Sequence, residues 1–176
     1  DDNKDKAIKI ATETINGFAE LYKKNWFEMM RKKLGLLGED LKDEGLIIDL
    51  LTWMHQNKAD YINTFCYLMN EKIKEDKIYN NQGFISWKQQ WQERLKLHNN
   101  SPEESLKLMR SANPLVIPRN HKVEEALNSV DTDNDLIQIH NLLKVLKNPY
   151  KNSSEIANYQ SSPPPSNEIY KTFCGT

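Results

Sequence analysis

SWKQQWQERL, residues 86–95, reads as a helix on its own terms. Ser86 and Gln89 have the spacing of a capping box, and Trp87, Trp91 and Leu95 follow at i, i+4 and i+8 on one face. Two indole rings at that spacing serve as core anchors rather than as a ligand cage. The same three-and-four period extends to either side. Upstream, Ile8, Ala11, Ile15, Phe18, Tyr22, Trp26 and Met29 form one stripe of a long first helix. Its start is acidic at Asp1, Asp2 and Asp5, its end is basic at Arg31, Lys32 and Lys33, and Gly35 supplies a left-handed stop. Gly17 interrupts the pattern and weakens it somewhat.

A second helix follows Gly38, with Leu41, Ile47, Leu50, Leu51 and Met54 on a broad apolar face. Asp60 caps a third, whose stripe is Tyr61, Ile62, Phe65, Cys66, Met69 and Ile73, so that Cys66 belongs to the core. The stretch DKIYNNQG, residues 76–83, has turn composition and reads as a loop. Ser101, Pro102 and Glu104 open a fifth helix that ends near Ala112, where Pro114 stops it. A sixth starts around Pro118 and buries Val123, Ala126, Leu127 and Val130. A seventh is capped by Thr132 with Asp135 and carries Leu136, Ile139, Leu143 and Leu146. After Asn148 the period is lost, and Pro163, Pro164 and Pro165 hold the tail extended.

No strand alternation and no fixed-length repeat stands out. The expected fold is therefore all-α: a bundle of about seven helices with an irregular proline-rich C-terminal arm. We place the helical domain at residues 1–148 and the arm at residues 149–176.

The chain has 176 residues, enough for one domain with a sizeable core, and 24 basic residues stand against 25 acidic ones. A net charge of -1 supplies no global field for nucleic acid or an anionic membrane, so neither is expected as a partner. No apolar run reaches the ~20 residues that span a bilayer, and DDNKDK is not a signal-peptide start. Cys66 and Cys174 are too far apart for a metal-ligand pair, which favours a reducing, cytoplasmic setting over a secreted one.

The chemistry is sparse. Asp131, Asp133 and Asp135 imitate the first half of a calcium loop, but Leu136 and Leu142 stand where that loop needs Gly and Glu. Helix capping accounts for the acids. His55, His98, His121 and His140 have no i, i+4 partner among themselves. There is no glycine-rich phosphate loop, no GxSxG and no complete catalytic set. We expect no catalytic, cofactor-binding or metal-binding residue in this chain. Arg119 and Asn120 follow Pro118 at a helix start, where backbone N–H groups hold anions, although a structural bond from Arg119 serves as well. Cys174, on the terminal arm, is a thiol placed to reach another sulfur.

MRKKLGL from Met30, DYINTF from Asp60, WKQQWQERL from Trp87, NPLVIPRN from Asn113, LLKVLKNPY from Leu142, the PPP arm and the cysteine near the end come in a telling order and spacing. Together they resemble the C-terminal region of the selenoprotein O family of kinase-like protein adenylyltransferases. The resemblance implies that a catalytic domain lies upstream. That domain would bind ATP with Mg²⁺ or Mn²⁺ and transfer AMP to Ser, Thr or Tyr hydroxyls of protein substrates. None of the family's catalytic residues has a counterpart here. The expected role is then that of a helical C-terminal domain that supports its own upstream catalytic domain; the alternative is an independent helical protein-interaction module. In some members of the family the third residue from the end is selenocysteine. Cys174 takes that position, which implies redox regulation through a cysteine of the catalytic domain. Pro118 and His121 depart from the family pattern, where an apolar and an aromatic residue are expected.

Overall fold

The computed structural model describes residues 2–71, 77–97, 101–133 and 135–163. Ile73, His98, Pro164, Pro165 and Cys174 lie outside them. Among the described residues the chain forms eight α-helices and one 3-10 turn, with no strand. The all-α expectation holds. In order these are α1 (Asp2–Leu34), α2 (Asp43–Asn57), α3 (Tyr61–Leu68), the 3-10 turn Lys77–Asn80, α4 (Gln82–Lys96), α5 (Pro102–Ala112), α6 (Asn120–Asp133), α7 (Ile137–Leu146) and α8 (Ala157–Gln160). They group into two compact units, residues 1–114 and 115–176.

The first unit is built on aromatic packing. Trp53 meets Phe84 with ring centroids 4.7 Å apart, Tyr67 stacks on Tyr79 at 4.1 Å, and Trp87 stacks on Trp91 at 6.0 Å. Both indoles of the SWKQQWQERL stretch are buried, and each donates its N–H across the core, Trp87 to the Leu46 carbonyl and Trp91 to the Leu34 carbonyl, both at 2.8 Å. A ring that buries a large apolar area while its one polar atom is satisfied gains the full benefit of burial. Cys66 lies fully buried beside Phe65, as its place in the stripe indicates.

Several element ends differ from those expected, each for a local reason. Helix α4 starts four residues before the Ser86 capping box, because Asn81 caps it: its Oδ1 accepts from the Gly83 and Phe84 amides at 2.9 and 3.4 Å. The turn composition of residues 76–83 conceals this cap and the 3-10 turn. Leu41 precedes α2 and is fully exposed, while Leu46 and Trp53 join Ile47, Leu50 and Met54 in the core. Helix α6 runs through Thr132, whose hydroxyl donates back to the Asn128 carbonyl, so Thr132 does not cap the next helix. Leu136 is the N-cap residue of α7 and makes no side-chain cap; Asp135 stands just before it, its Oδ1 accepting from the Ile137 amide at 2.8 Å.

In the second unit the buried apolar residues are Leu115, Val116, Ala126, Leu142, Val145 and Ile156. Leu127, Leu136 and Leu143 are exposed instead. The inward face of α7 is thus turned by one residue from that expected. The segment after Asn148, read as irregular, contains the short helix α8. It is tied in by Leu115 N–H donating to the Pro149 carbonyl at 2.7 Å and by Gln160 Nε2 donating to the Leu115 carbonyl at 3.0 Å.

Candidate docking face

Helix α1 divides into a solvated rod and an embedded base. From Asn3 to Asn25 every residue is exposed, whereas Met30, Lys33 and Leu34 are buried. The stripe read from the sequence exists, but it faces solvent: Ile15 is 72%, Phe18 65% and Tyr22 60% exposed. Phe18 and Tyr22 lie one turn apart with ring centroids at 6.0 Å, and Leu21 and Ile8 continue the row. An apolar face this long, with charged residues on the other side, is what a helix presents to a partner surface.

The base of the rod is held firmly. Lys33 is buried, and its ammonium donates to the Ala112 carbonyl at 3.0 Å and to Asn113 Oδ1 at 3.2 Å. It also lies over the rings of Tyr61 and Phe65, at 5.5 and 5.1 Å from their centroids. Asn113 returns the bond, its Nδ2 donating to the Lys33 carbonyl at 2.8 Å. Burial pushes the Lys33 pKa below its ordinary value and pushes that of Tyr61 above its own. At the end of α1, Gly35 has φ +69°, and a Cβ there would stand 2.8 Å from the Ser105 carbonyl oxygen, so α5 can cross this closely only because the residue is glycine.

Arg119 is buried immediately before α6, and its carbonyl accepts from the Lys122 and Val123 amides. Asn120 begins that helix and is exposed. Cys174 falls outside the described residues. No group of three His, Cys, Asp or Glu capable of holding a metal occurs among the described residues, and no helix there is long and apolar enough to cross a membrane. The positive-φ glycines, Gly35 and Gly38, sit between α1 and α2, with Gly35 closed off by α5. What the described residues do present is an uncovered apolar stripe on α1. The period of the stripe was legible in the sequence. That it turns away from the core was not, because an apolar stripe looks the same whether its partner is this chain or another.

Residues 6–147 match the family described as Protein adenylyltransferase SelO. Protein nucleotidyltransferase YdiU of Pelagibacter ubique is 49% identical over 174 residues, which cover 99% of this chain and 36% of that protein. The YdiU protein of Nitrosococcus oceani is 45% identical over 176 residues, again 99% of this chain and 36% of the relative. That of Clostridium botulinum is 44% identical over 174 residues, 99% and 35%. The chain thus spans little more than a third of the length of these relatives. The match extends from within α1 to just past the end of α7, and the chain belongs to the SelO family.

Proposed function

We propose that this chain is a non-catalytic helical domain of a protein adenylyltransferase and docks through the α1 stripe on that enzyme's own kinase-like catalytic domain. The observation that carries the reading is the uncovered row Ile8, Ile15, Phe18 and Tyr22 on a rod whose base is locked by Lys33. Burying four such side chains contributes about 1.5–3 kcal/mol each, ample to hold a domain in register. The names of the relatives support the transferase part of the reading. In it, the catalytic domain takes ATP with Mg²⁺ or Mn²⁺ and moves AMP to a Ser, Thr or Tyr hydroxyl of a protein substrate in the cytoplasm. Pyrophosphate leaves, and the hydroxyl proton passes to a base of that domain. Cys174 adds regulation: its thiol and a thiol of the catalytic domain close to a disulfide, giving up two protons and two electrons to a cellular oxidant.

The test is AMP transfer to protein, measured by mass spectrometry for the full-length enzyme, the enzyme cut before Asp1, and this chain alone. Labelling by the full-length enzyme only supports the reading, and Phe18→Asp in that enzyme should then cut transfer at least tenfold. Full activity of the truncated enzyme overturns it and leaves an independent interaction module. For Cys174, an unchanged redox dependence of transfer in Cys174→Ser removes the regulatory part.

A further inference from the structure

We propose that the groove between α4 and α5 is a binding site for a small amphipathic carboxylate, a single apolar chain with one anionic end. The groove encloses about 540 Å³, within the range that takes small ligands. Its apolar walls are Trp91 and Leu95 of α4 and Leu106 and Met109 of α5, with Leu68 behind. The Trp91 N–H is already spent on the Leu34 carbonyl, so the indole offers the groove only its apolar surface.

Charge decides the ligand class. Lys88 and Lys96 line the groove at positions eight residues apart, about 12 Å along the helix, and no described carboxylate lines it. Lys88 Nζ rests 4.9 Å from the Tyr67 ring centroid. One neighbouring described acid, Glu71, is paired with Arg110 at 3.1 Å and is little exposed. An apolar trough with lysines at its rim, either of which can take one anionic head, and no acid among its described lining residues favours an anionic head with an apolar tail over a cationic or neutral one. Asn70, Gln92 and Ser105 supply the few further polar groups. The proposal is independent of the transferase reading, since it uses neither the α1 face nor any upstream residue.

The probe is a decanoate analogue carrying a chain diazirine, photolysed on the intact protein, with adducts mapped by peptide mass spectrometry. Adducts should fall within residues 88–109, be competed by decanoate, and be weaker for the methyl ester. K88E/K96E should lower them about fivefold, the effect of losing one exposed charge contact whichever lysine takes the head. K88Q/K96Q, which introduces no new charge, should also lower them, with circular dichroism confirming that both variants are folded. Adducts centred on the exposed α1 stripe, or equal labelling in the charge variants, overturn the proposal.

Discussion

Asp43 carries a charge into the core of the first unit, and Arg94 answers it from α4. Their side chains are 2% and 6% exposed, with Nε to Oδ1 at 2.7 Å and Nη2 to Oδ2 at 3.2 Å. The same Nη2 reaches the Leu37 and Gly38 carbonyls, so the pair also holds the α1–α2 connection, while Nη1 has no hydrogen-bond partner among the described residues. Removing one member leaves an uncompensated buried charge. Asp43→Ala should therefore cost about 3–5 kcal/mol in urea unfolding, and D43A/R94M should cost less than the sum of the single changes. Additive losses would show that the two charges act separately. His121 gives a pH signature in the second unit. Burial, followed by the charge of Lys122, lowers its pKa, an effect Glu125 opposes and Arg119 reinforces. The unfolded chain consequently takes the proton first. Stability is undiminished above the unfolded value near 6.5 and falls as pH drops from there through the lower folded value. Thermal midpoints between pH 7.5 and 5.5 should show this slope in the wild type and a shallower one in His121→Gln.

Helix α1 places two glycines in opposite circumstances. Gly17 sits mid-helix with open space around it, so Gly17→Ala should stabilise the rod by about 1 kcal/mol, read as slower hydrogen exchange of nearby amides. Gly35 has φ +69° and its Cβ position presses on Ser105 and Met109. Gly35→Ala should destabilise the first unit by about 1–2 kcal/mol from the left-handed backbone alone, and by more from the contact with α5. A neutral result at Gly35 would mean that α5 can move aside. Both positions were visible in the sequence, one as a weak spot and one as a stop. The approach of α5 was not, because it joins segments some seventy residues apart. Asn81 makes the same point: one of two adjacent Asn residues in a turn-like run is ambiguous until Trp53, whose Nε1 donates to Asn81 Oδ1 at 3.1 Å, fixes its role.

At the scale of the whole molecule, the consequence is an apolar rod that no other described element covers. This chain alone should self-associate with rising concentration in sedimentation velocity, and Phe18→Asp with Ile15→Asp should return it to a monomer. Because both sites are exposed, the substitutions should change stability by no more than about 0.5 kcal/mol. A wild-type chain that stays monomeric at high concentration would count against α1 as a docking face. Periodicity, caps and terminators were enough to determine an all-α chain, the helical start at Ser101, the stop at Gly35 and the buried state of Cys66, since each depends on residues within a turn or two of one another. Tertiary structure alone decided that the α1 stripe looks outward, that α7 turns Leu142 and Val145 inward in place of Leu143, and that Lys33 and Arg94 are buried cations. Those outcomes depend on which surfaces meet, and the pattern along a single helix carries no information about its partner.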